Sequence, residues 1–259
     1  MYSSDVSIIA VFNQKGGVGK TTTALNLLAA IAQNKRRPLG IDLDPQGHLS
    51  HVFGTQAKSA DDTMYGFFMR QRPLDEVAQI TRSGVILCPS HLELAKLDPI
   101  LGKGVNVVTR LRQALHAPGA APGPVVIDCC PLLNVLSLNA VFAADLLLVP
   151  VSADYLALRG AQQVERAMNA LEPVFKRRLA RRYLLTRYDA RRRMSAAVVE
   201  QMEATMRPEE ICVTRIRENV RLAESPYVGL DVFRHAPDCR GAHDYAALHH
   251  ELMSAGFLQ

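Results

Sequence analysis

The sequence predicts a doubly wound α/β fold whose mainly parallel sheet is flanked by helices. Short apolar runs of strand length alternate with longer stretches that carry apolar residues at helical spacing. A glycine-rich loop joins the first run to the first stretch, and two later runs lead into aspartate residues. Alternating strands and helices are typical of parallel sheets, in which functional groups gather at the carboxyl ends of the strands.

The first two predicted elements are a strand and a helix. Residues 7–12 read Ser-Ile-Ile-Ala-Val-Phe, an apolar run of strand length. Residues 21–33 contain no Gly or Pro and place Leu27, Leu28 and Ile31 at helical spacing. We therefore expect a buried strand followed directly by a loop and a helix.

The loop between them reads Asn13-Gln-Lys-Gly-Gly-Val-Gly-Lys-Thr-Thr-Thr23. Its glycines allow backbone N–H groups to turn inward around an anion, which the positive end of the next helix also favours. In such a loop Lys20 reaches the β- and γ-phosphates, and the Thr21 hydroxyl is a ligand of Mg²⁺. The predicted nucleotide-binding residues are Lys15, Gly16, Gly17, Val18, Gly19, Lys20, Thr21 and Thr22.

The loop departs from the usual pattern G-x-x-x-x-G-K-[ST], because Gln14 stands where the first Gly belongs. It meets the stricter variant K-G-G-x-G-K-[ST], which adds Lys15 ahead of the glycines. This loop resembles that of the ParA/MinD group of P-loop ATPases, the deviant Walker A type. The resemblance implies that Lys15 crosses a dimer interface and neutralises charge on the phosphates bound to the other subunit, as an arginine finger does elsewhere.

A second motif follows a short predicted strand at 38–41. It reads Asp42-Leu-Asp-Pro-Gln-Gly-His-Leu-Ser50 and resembles the family motif D-x-D-P-Q-G-N, with His48 in place of Asn. The resemblance implies that Asp44 orients the attacking water near Mg²⁺ and that Asp42 supports the same loop. Lys15, Lys20 and Asp44 are therefore the implied catalytic residues.

A third motif is the strand predicted at 125–128, which ends at Asp128. This is the Walker B arrangement, in which Asp128 holds Mg²⁺ through a water, so the implied magnesium site comprises Thr21, Asp44 and Asp128. The family continues with a switch of the Pro-Pro-Ser type. This chain retains Pro131, to which we assign loop support together with Asp42, but Cys130 and Leu132 depart from the family pattern.

The remaining elements follow from the same periodicities. Strands are predicted at 85–88, 144–151 and 183–186, and helices at 74–79, 91–97, 105–115, 161–171, 195–206 and 241–255. Residues 117–124 are rich in Ala, Pro and Gly and predict a loop.

Length and composition favour one large domain, residues 1–259, because 48% of the 259 residues are apolar. No apolar run approaches the roughly 18 residues that span a bilayer. The first residues lack the pattern of a signal peptide, so we expect a cytoplasmic protein without stable membrane insertion. Five cysteines without C-x-x-C spacing favour reduced thiols.

The formal charge of +5 and the pI near 9.0 permit a nucleic-acid partner without establishing one. The most basic stretch, 176–193, includes a segment at 186–191 that resembles the family pattern T-x-Y-D-x-R near the DNA-binding face. Residues 216–226 resemble I-P-R-N-V-R-L-S-E-A-P, with Arg217 and Glu218 in place of Pro and Arg. The implied DNA-binding residues are Arg191, Arg192, Arg193, Arg217 and Arg221.

The resemblance extends from about Ile8 to Leu252. It implies an ATPase that uses ATP and Mg²⁺, forms a homodimer with ATP, binds DNA non-specifically on the nucleoid and hydrolyses ATP slowly. A ParB-like activator protein or a cargo adaptor would stimulate hydrolysis. The cargo stays open among a plasmid, a chromosome, a chemoreceptor array, a carboxysome and a cellulose-synthase complex.

Two other functions share this loop variant. A MinD-like membrane-associated positioning ATPase needs a basic amphipathic C-terminal helix, whereas residues 248–259 contain no Lys or Arg. An iron–sulfur reductase of the nitrogenase iron-protein type needs thiolates at a dimer axis, whereas Cys129 and Cys130 lie inside the Walker B switch. The sequence favours the ParA-like function over both.

Overall fold

The computed structural model of the protein describes residues 7–55, 57–102, 104–117, 119–175 and 178–258. Lys176 and Arg177, which belong to the predicted basic stretch, lie outside the described residues, as does Pro118 of the predicted loop.

One seven-stranded sheet organises the described residues. Its strands are β1 (Ile8–Val11), β2 (Leu39–Asp42), β3 (Gln79–Ile80), β4 (Ile86–Cys88), β5 (Val125–Asp128), β6 (Leu146–Ser152) and β7 (Ala180–Thr186). Their spatial order is β3-β4-β2-β5-β1-β6-β7, and all neighbours are parallel except β3 and β4. The prediction of a doubly wound, mainly parallel sheet is confirmed.

Thirteen helices are assigned within the described residues. They are α1 (Lys20–Gln33), α2 (His48–Val52), α3 (Met64–Arg70), α4 (Leu74–Val77), α5 (Leu97–Leu101), α6 (Val105–Val108), α7 (Arg110–Leu115), α8 (Val135–Ala143), α9 (Tyr155–Phe175), α10 (Arg193–Thr205), α11 (Val220–Tyr227), α12 (Val232–His235) and α13 (Arg240–Ser254). Short 3-10 turns occur at Ala60–Asp62, Leu92–Lys96 and Pro208–Glu210.

Both faces of the sheet are buried, which explains why its central strands read as continuous apolar runs rather than alternating ones. In β1, Ile8 and Ala10 point into the core beneath α8 and α9, whereas Ile9 and Val11 point into the core beneath α1 and α13. Because every side chain of the strand enters a core, the sheet is fixed from both sides and its carboxyl ends form a rigid edge.

Several predicted elements differ in extent from the observed ones. The predicted helix 105–115 is divided into α6 and α7 at Thr109, whose φ of −97° and ψ of 0° interrupt the helical backbone. The helix predicted at 74–79 ends at Val77, and the next residues form the antiparallel edge strand β3. The helix predicted at 161–171 spans Tyr155–Phe175 and includes Pro173.

Helices α2, α3, α8, α11 and α12 were not predicted. The longest of them, α8, reads as a mostly apolar run without an exposed face. All nine of its residues are buried. Asn134 caps it by accepting hydrogen bonds from the N–H groups of Leu136 and Ser137, and the Ser137 hydroxyl accepts one from the Asn134 N–H. This capping box determines where the helix begins.

A buried ionic cluster fixes α9 to β7. The Arg181 side chain is fully buried, and its guanidinium donates to Glu165 Oε1 and to Glu172 Oε1, both at 2.7 Å. The hydroxyl of Tyr183, two residues further along β7, donates to the other oxygen of Glu165. A fully buried guanidinium therefore pairs with two partly exposed carboxylates, although the Arg181 Nε has no hydrogen-bond partner in the described chain.

We predict that Arg181→Ala lowers the free energy of unfolding by roughly 3 kcal/mol, because it removes the buried cation of the cluster and leaves the two glutamates with only the longer contacts of the partly exposed Arg178. Urea denaturation measures this difference. Arg191→Ala is the matched control, since the exposed ion pair of Arg191 with Asp189 lies in water and its loss should leave the denaturation midpoint unchanged. Equal midpoints for the wild type and Arg181→Ala would contradict the prediction.

Candidate nucleotide-binding site

The three motifs meet at the carboxyl edge of the sheet. In the parallel register Val11 of β1 pairs with Asp128 of β5, and Asp42 of β2 pairs with Asp128 from the other side. The glycine loop that leaves β1 therefore lies next to both carboxylates. The sequence predicted each motif separately, and the strand order explains why they form one site.

The backbone of the loop has the shape of an anion cradle. Gly17 and Gly19 have φ angles of 76° and 90°, a region that side-chain-bearing residues rarely adopt. Gly19 directly precedes α1, whose first N–H groups receive no side-chain cap. These amides are consequently available for phosphate oxygens at the positive end of the helix.

Lys20 points back over this cradle. Its side chain is buried, and its ammonium donates to the Lys15 carbonyl at 3.0 Å. Burial lowers the pKa of Lys20, while the nearby carboxylate of Asp128 acts in the opposite direction. A buried ammonium with one neutral hydrogen-bond partner is well placed to pair with an anionic phosphate.

Asp128 is the least satisfied group of the site. The residue is fully buried, and neither carboxylate oxygen has a hydrogen-bond partner among the described residues. Burial, followed by repulsion from Asp42, raises the pKa of Asp128 well above its ordinary value, although Thr21 and Lys20 oppose the rise. A buried carboxylate that forms no hydrogen bond of ordinary geometry in the described chain, with the Thr21 hydroxyl and the Lys20 ammonium nearby, fits the oxygen ligands that Mg²⁺ requires.

Asp42 is also fully buried, but its carboxylate is hydrogen-bonded to groups of its own loop. Its carboxylate accepts hydrogen bonds from the N–H and hydroxyl groups of Ser50, at 2.9 and 2.6 Å, and from the Asp44 N–H at 3.1 Å. Burial raises the pKa of Asp42 to about 6, whereas the bonds from Ser50 and Asp44 lower it. Asp42 therefore shapes the loop that presents Asp44.

Asp44 is half-buried and points out of this loop. Its Oδ1 accepts the Gln46 N–H at 3.0 Å, and its carbonyl accepts the Ser90 hydroxyl at 2.5 Å. Ser90 also donates its N–H to the Ser50 hydroxyl at 2.9 Å. Ser50 and Ser90 are thus site residues that the sequence analysis missed. Ser90 follows β4 and contacts the loop only because β4 lies beside β2 in the sheet.

Lys15 occupies the outer side of the cradle. Its N–H donates to Asn13 Oδ1 at 2.9 Å, and its ammonium forms an ion pair with Asp154 Oδ1 at 2.7 Å. Desolvation alone would raise the pKa of Asp154, but hydrogen bonds from Lys15, Ser152 and Ala157 lower it below its ordinary value. Asp154 was not predicted, since it lies 139 residues away in sequence and matches no quoted motif.

The loop is supported from strands β6 and β7. Asn13 Nδ2 donates to the Pro150 carbonyl at 2.8 Å, and the Thr186 hydroxyl donates to the Val18 carbonyl at 2.8 Å. At Gly160 an added Cβ would lie 3.0 Å from Asn13 Oδ1 and 3.1 Å from the Lys15 Cβ. Helix α9 can therefore approach the loop only because that position is glycine.

The switch after Asp128 contains two buried thiols. Burial raises the pKa of Cys129, and burial likewise raises the pKa of Cys130, whose sulfur lies 3.7 Å from both the Leu132 carbonyl and Asn134 Oδ1. Pro131 is partly buried, whereas Leu132 is 65% exposed. The departures from the family pattern therefore place a neutral thiol inward and an apolar side chain outward.

A cavity of about 250 Å³ continues from the glycine loop toward β7. Gly17, Gly19 and Thr22 line one side, and Arg187 and Glu218 line the other. This cavity provides space for the nucleoside part of a nucleotide whose phosphates lie on the loop.

Most of the arginines predicted to bind DNA are engaged in ion pairs. Arg191 pairs with Asp189 at 2.9 Å, Arg192 with Glu218 at 3.0 Å, Arg217 with Asp244 at 2.5 Å and Arg221 with Glu224 at 2.8 Å. The exposed Arg193 begins α10, and its side chain has no charged partner among the described residues. The basic stretch is therefore far less positive on the surface than its sequence indicates.

The fold and this site define a P-loop protein of the α/β class that is built to bind a nucleoside triphosphate. A family model described as an AAA domain matches residues 6–180. The chromosome partitioning protein ParA of Caulobacter vibrioides is 36% identical over 98% of this chain and 96% of its own length. The sporulation initiation inhibitor protein Soj of Bacillus subtilis is 33% identical over 96% of this chain and 99% of its own length.

The chain belongs to the ParA/Soj family of chromosome-partitioning ATPases, which confirms the resemblance inferred from its motifs. A solved structure with the same fold is cobyrinic acid a,c-diamide synthase from Mycobacterium smegmatis, bound to an ATP analogue and magnesium. Its TM-score is 0.80 and its sequence identity 27%, covering 97% of each chain. None of the helices in the described ranges has the length and apolar character of a membrane span.

We predict that Asp128→Asn stabilises the nucleotide-free protein at neutral pH by about 1–3 kcal/mol, because a neutral amide avoids both the burial of a charge and its repulsion from Asp42 and Asp44. The raised pKa of Asp128 means that the folded state binds more protons than the unfolded state, so stability falls as pH rises toward that pKa. Urea denaturation in EDTA from pH 5 to 8 should show a shallower decline for the variant.

The exposed Asp238→Asn substitution serves as the control and should follow the wild-type curve. In excess Mg²⁺ and nucleotide the order should reverse if Asp128 holds the metal, because only the wild type retains that carboxylate. A variant that is less stable than the wild type in EDTA at pH 8 would contradict the prediction.

Proposed function

We propose that the chain is a ParA-type ATPase whose ATP-bound dimer binds DNA non-specifically and positions or segregates a cargo. The observation that carries the proposal is the unpartnered, buried carboxylate of Asp128 beside a glycine loop that presents both Lys15 and Lys20. We infer that residues 1–259 act as one ATPase domain, because one sheet carries every part of this site.

ATP and Mg²⁺ are the proposed cofactors, and the residues present fit both. The glycine amides and Lys20 would hold the phosphates, while Thr21 and Asp128 would hold the metal, with Asp44 nearby. The bound metal would supply neutralisation of the charge that develops between the β- and γ-phosphates. Cobyrinic acid a,c-diamide synthase, which shares the fold at 27% identity, has been crystallised with ADP or an ATP analogue together with magnesium.

Asp44 is the proposed residue that orients the attacking water. The Asp42 loop holds it half-buried at the edge of the site, and one of its oxygens is already fixed by the Gln46 N–H. The other oxygen has no hydrogen-bond partner in the part of the chain that the structure describes and could accept a hydrogen bond from water. A single carboxylate that only positions water supports slow intrinsic turnover, which suits an activity set by a partner.

Lys15 is the proposed link between nucleotide and dimer. In the single chain its ammonium is held by Asp154, a contact 29% exposed on the lysine side. To reach phosphates in a second subunit the lysine must leave this ion pair. Because a partly exposed ion pair is weak, a triphosphate with several negative charges can compete for the lysine successfully.

The activity proposed for the dimer is to associate with the nucleoid and to transport or position a cargo. A ParB-like activator protein or a cargo adaptor would stimulate hydrolysis and so release the dimer from DNA. The cargo can be a plasmid, a chromosome or a protein complex.

The nucleotide roles are tested with three variants and a binding assay for fluorescent ATP. Lys20→Ala should lose nucleotide binding. Asp44→Ala should bind ATP, accumulate as a dimer in size-exclusion chromatography and fail to turn over. Lys15→Ala should bind ATP but dimerise weakly and hydrolyse poorly. Identical behaviour of Lys20→Ala and Asp44→Ala, or full turnover in Lys15→Ala, would show that the roles are wrongly assigned.

DNA binding is tested by gel shift on random duplex DNA with the ATP-loaded Asp44→Ala dimer. Binding should weaken steeply with salt, at about 0.9 log units per phosphate neutralised for each log unit of salt. Arg221→Ala and the triple Arg191/Arg192/Arg193→Ala variant should bind less tightly. Glu218→Gln should bind more tightly, because it frees Arg187 and Arg192 from their shared carboxylate.

Asp238→Asn, which also removes one exposed negative charge, controls for net charge alone. If the trapped dimer ignores DNA at low ionic strength, the matrix on which the protein moves is not DNA.

A further inference from the structure

The lateral edge of the sheet that β3 forms has an open backbone position. Strand β3 is the last strand in the sheet order of the described residues and pairs antiparallel with β4. Ile80 lies opposite Ile86, whose N–H donates to the Pro38 carbonyl on the β2 side. The Ile80–Ile86 pair is therefore the non-hydrogen-bonded kind, and the N–H and C=O of Ile80 face the open edge.

The side chain at the same position is unusually exposed. Ile80 is 72% exposed, although an apolar side chain on an edge strand invites pairing with another chain. It lines a cleft of about 510 Å³ between β3 with its turn and the segment at 228–234. Val228, which is 50% exposed, lies on the opposite wall.

Two arginines complete the cleft. Arg82 and Arg234 both line it, both are exposed, and neither guanidinium has a hydrogen bond or an ion pair among the described residues. The arginines beside β7 differ in this respect, since Arg191, Arg192 and Arg217 are all paired with carboxylates. The one acid that lines the cleft, Asp231, is buried and accepts the Arg234 N–H, so the accessible charge is positive.

We propose that this cleft binds an extended acidic peptide, which adds to the open edge of β3 through Ile80 and places carboxylates on Arg82 and Arg234. Strand addition supplies the backbone hydrogen bonds, and alternate side chains of an extended chain reach the cleft. A guanidinium group can donate two parallel N–H hydrogen bonds to one carboxylate. This contact therefore depends on the orientation of the carboxylate as well as on its charge. This inference does not rest on the function proposed for the nucleotide site.

Other occupants fit less well. A second copy could pair through its own β3, but such an interface would be symmetric. It would bring the positively charged arginines of two identical clefts together, and they would repel each other. Nucleic acid requires a longer row of cations, and it gains nothing from the apolar Ile80 and Val228. A peptide with alternating acidic and apolar side chains satisfies every feature of the cleft.

The test uses fluorescence anisotropy with a labelled ten-residue peptide of alternating Glu and Val. Its Lys–Val counterpart should bind at least about tenfold more weakly, the usual worth of one charge-assisted hydrogen bond. A version N-methylated at alternate residues should also weaken by about tenfold, because strand addition loses its N–H donors. Arg82→Glu and Arg234→Glu should each weaken binding about tenfold.

Arg207→Glu is the matched control, since Arg207 is exposed, does not line the cleft and carries the same charge change. It should bind the peptide as the wild type does. All three variants should keep the wild-type melting temperature and the wild-type ATP turnover, so a failure of the nucleotide roles leaves this test intact.

Equal binding of the Glu–Val and Lys–Val peptides, or unchanged binding by Arg82→Glu and Arg234→Glu, would overturn the proposal. Displacement of the peptide by a short DNA duplex that needs the same two arginines would assign the cleft to nucleic acid instead. Self-association that Arg82→Glu alters would assign it to a second copy of the chain.

Discussion

The register between β2 and β5 is the constraint on which the site depends. It aligns Asp42 with Asp128, so two buried carboxylates lie on adjacent strands at the edge where the glycine loop begins. Two such groups cannot both be charged in a dry interior without a cation nearby. Ser50 and the Asp44 amide satisfy Asp42, but Asp128 has no partner of this kind in the described chain. The buried Lys20 ammonium offsets this repulsion only in part, since the pKa of Asp128 remains raised well above its ordinary value. The divalent cation proposed for this site would neutralise the remaining charge.

The elements on the other side of β1 hold the glycine loop in its observed conformation. Pro150 and Thr186, at the ends of β6 and β7, bind Asn13 and the Val18 carbonyl. The cluster around Arg181 then fixes α9 to β7, and α9 carries the glycine that packs against Lys15. A loop with several glycines is flexible in isolation, so its order here comes from these long-range hydrogen bonds. The ion pairs of Arg181 thus help to hold the glycine loop in place, although they lie away from it.

The sequence reveals local chemistry well and pairing between distant segments poorly. The glycine loop and the aspartates that end β2 and β5 could be predicted, because each motif is contiguous and its backbone shape follows from its own residues. Asp154 and Ser90 could not be predicted, because neither belongs to a contiguous motif. Each follows the end of a strand, β6 or β4, and meets the loop only in the folded chain. Helix α8 was missed for a different reason: a helix buried on all sides has no amphipathic period. The antiparallel strand β3 was missed because α4 precedes it directly, and the whole segment 74–79 was predicted as one helix.

The largest discrepancy between sequence and structure concerns charge. Counting Lys and Arg between 176 and 193 suggests a strongly positive face, but Asp189, Glu218 and their neighbours pair with most of the described arginines. These ion pairs lie in water, where each contributes little stability, so a phosphate can replace the carboxylate at small cost. The free energy gained by exchanging a carboxylate for a phosphate is equally small.

A single subunit with such a surface would therefore bind DNA weakly. The proposed dimer would hold two such surfaces side by side, and linking two weak sites raises the overall affinity without any change in either. Under that proposal, the acidic residues within the basic stretch would keep the DNA affinity of one subunit low and so make DNA binding depend on dimerisation.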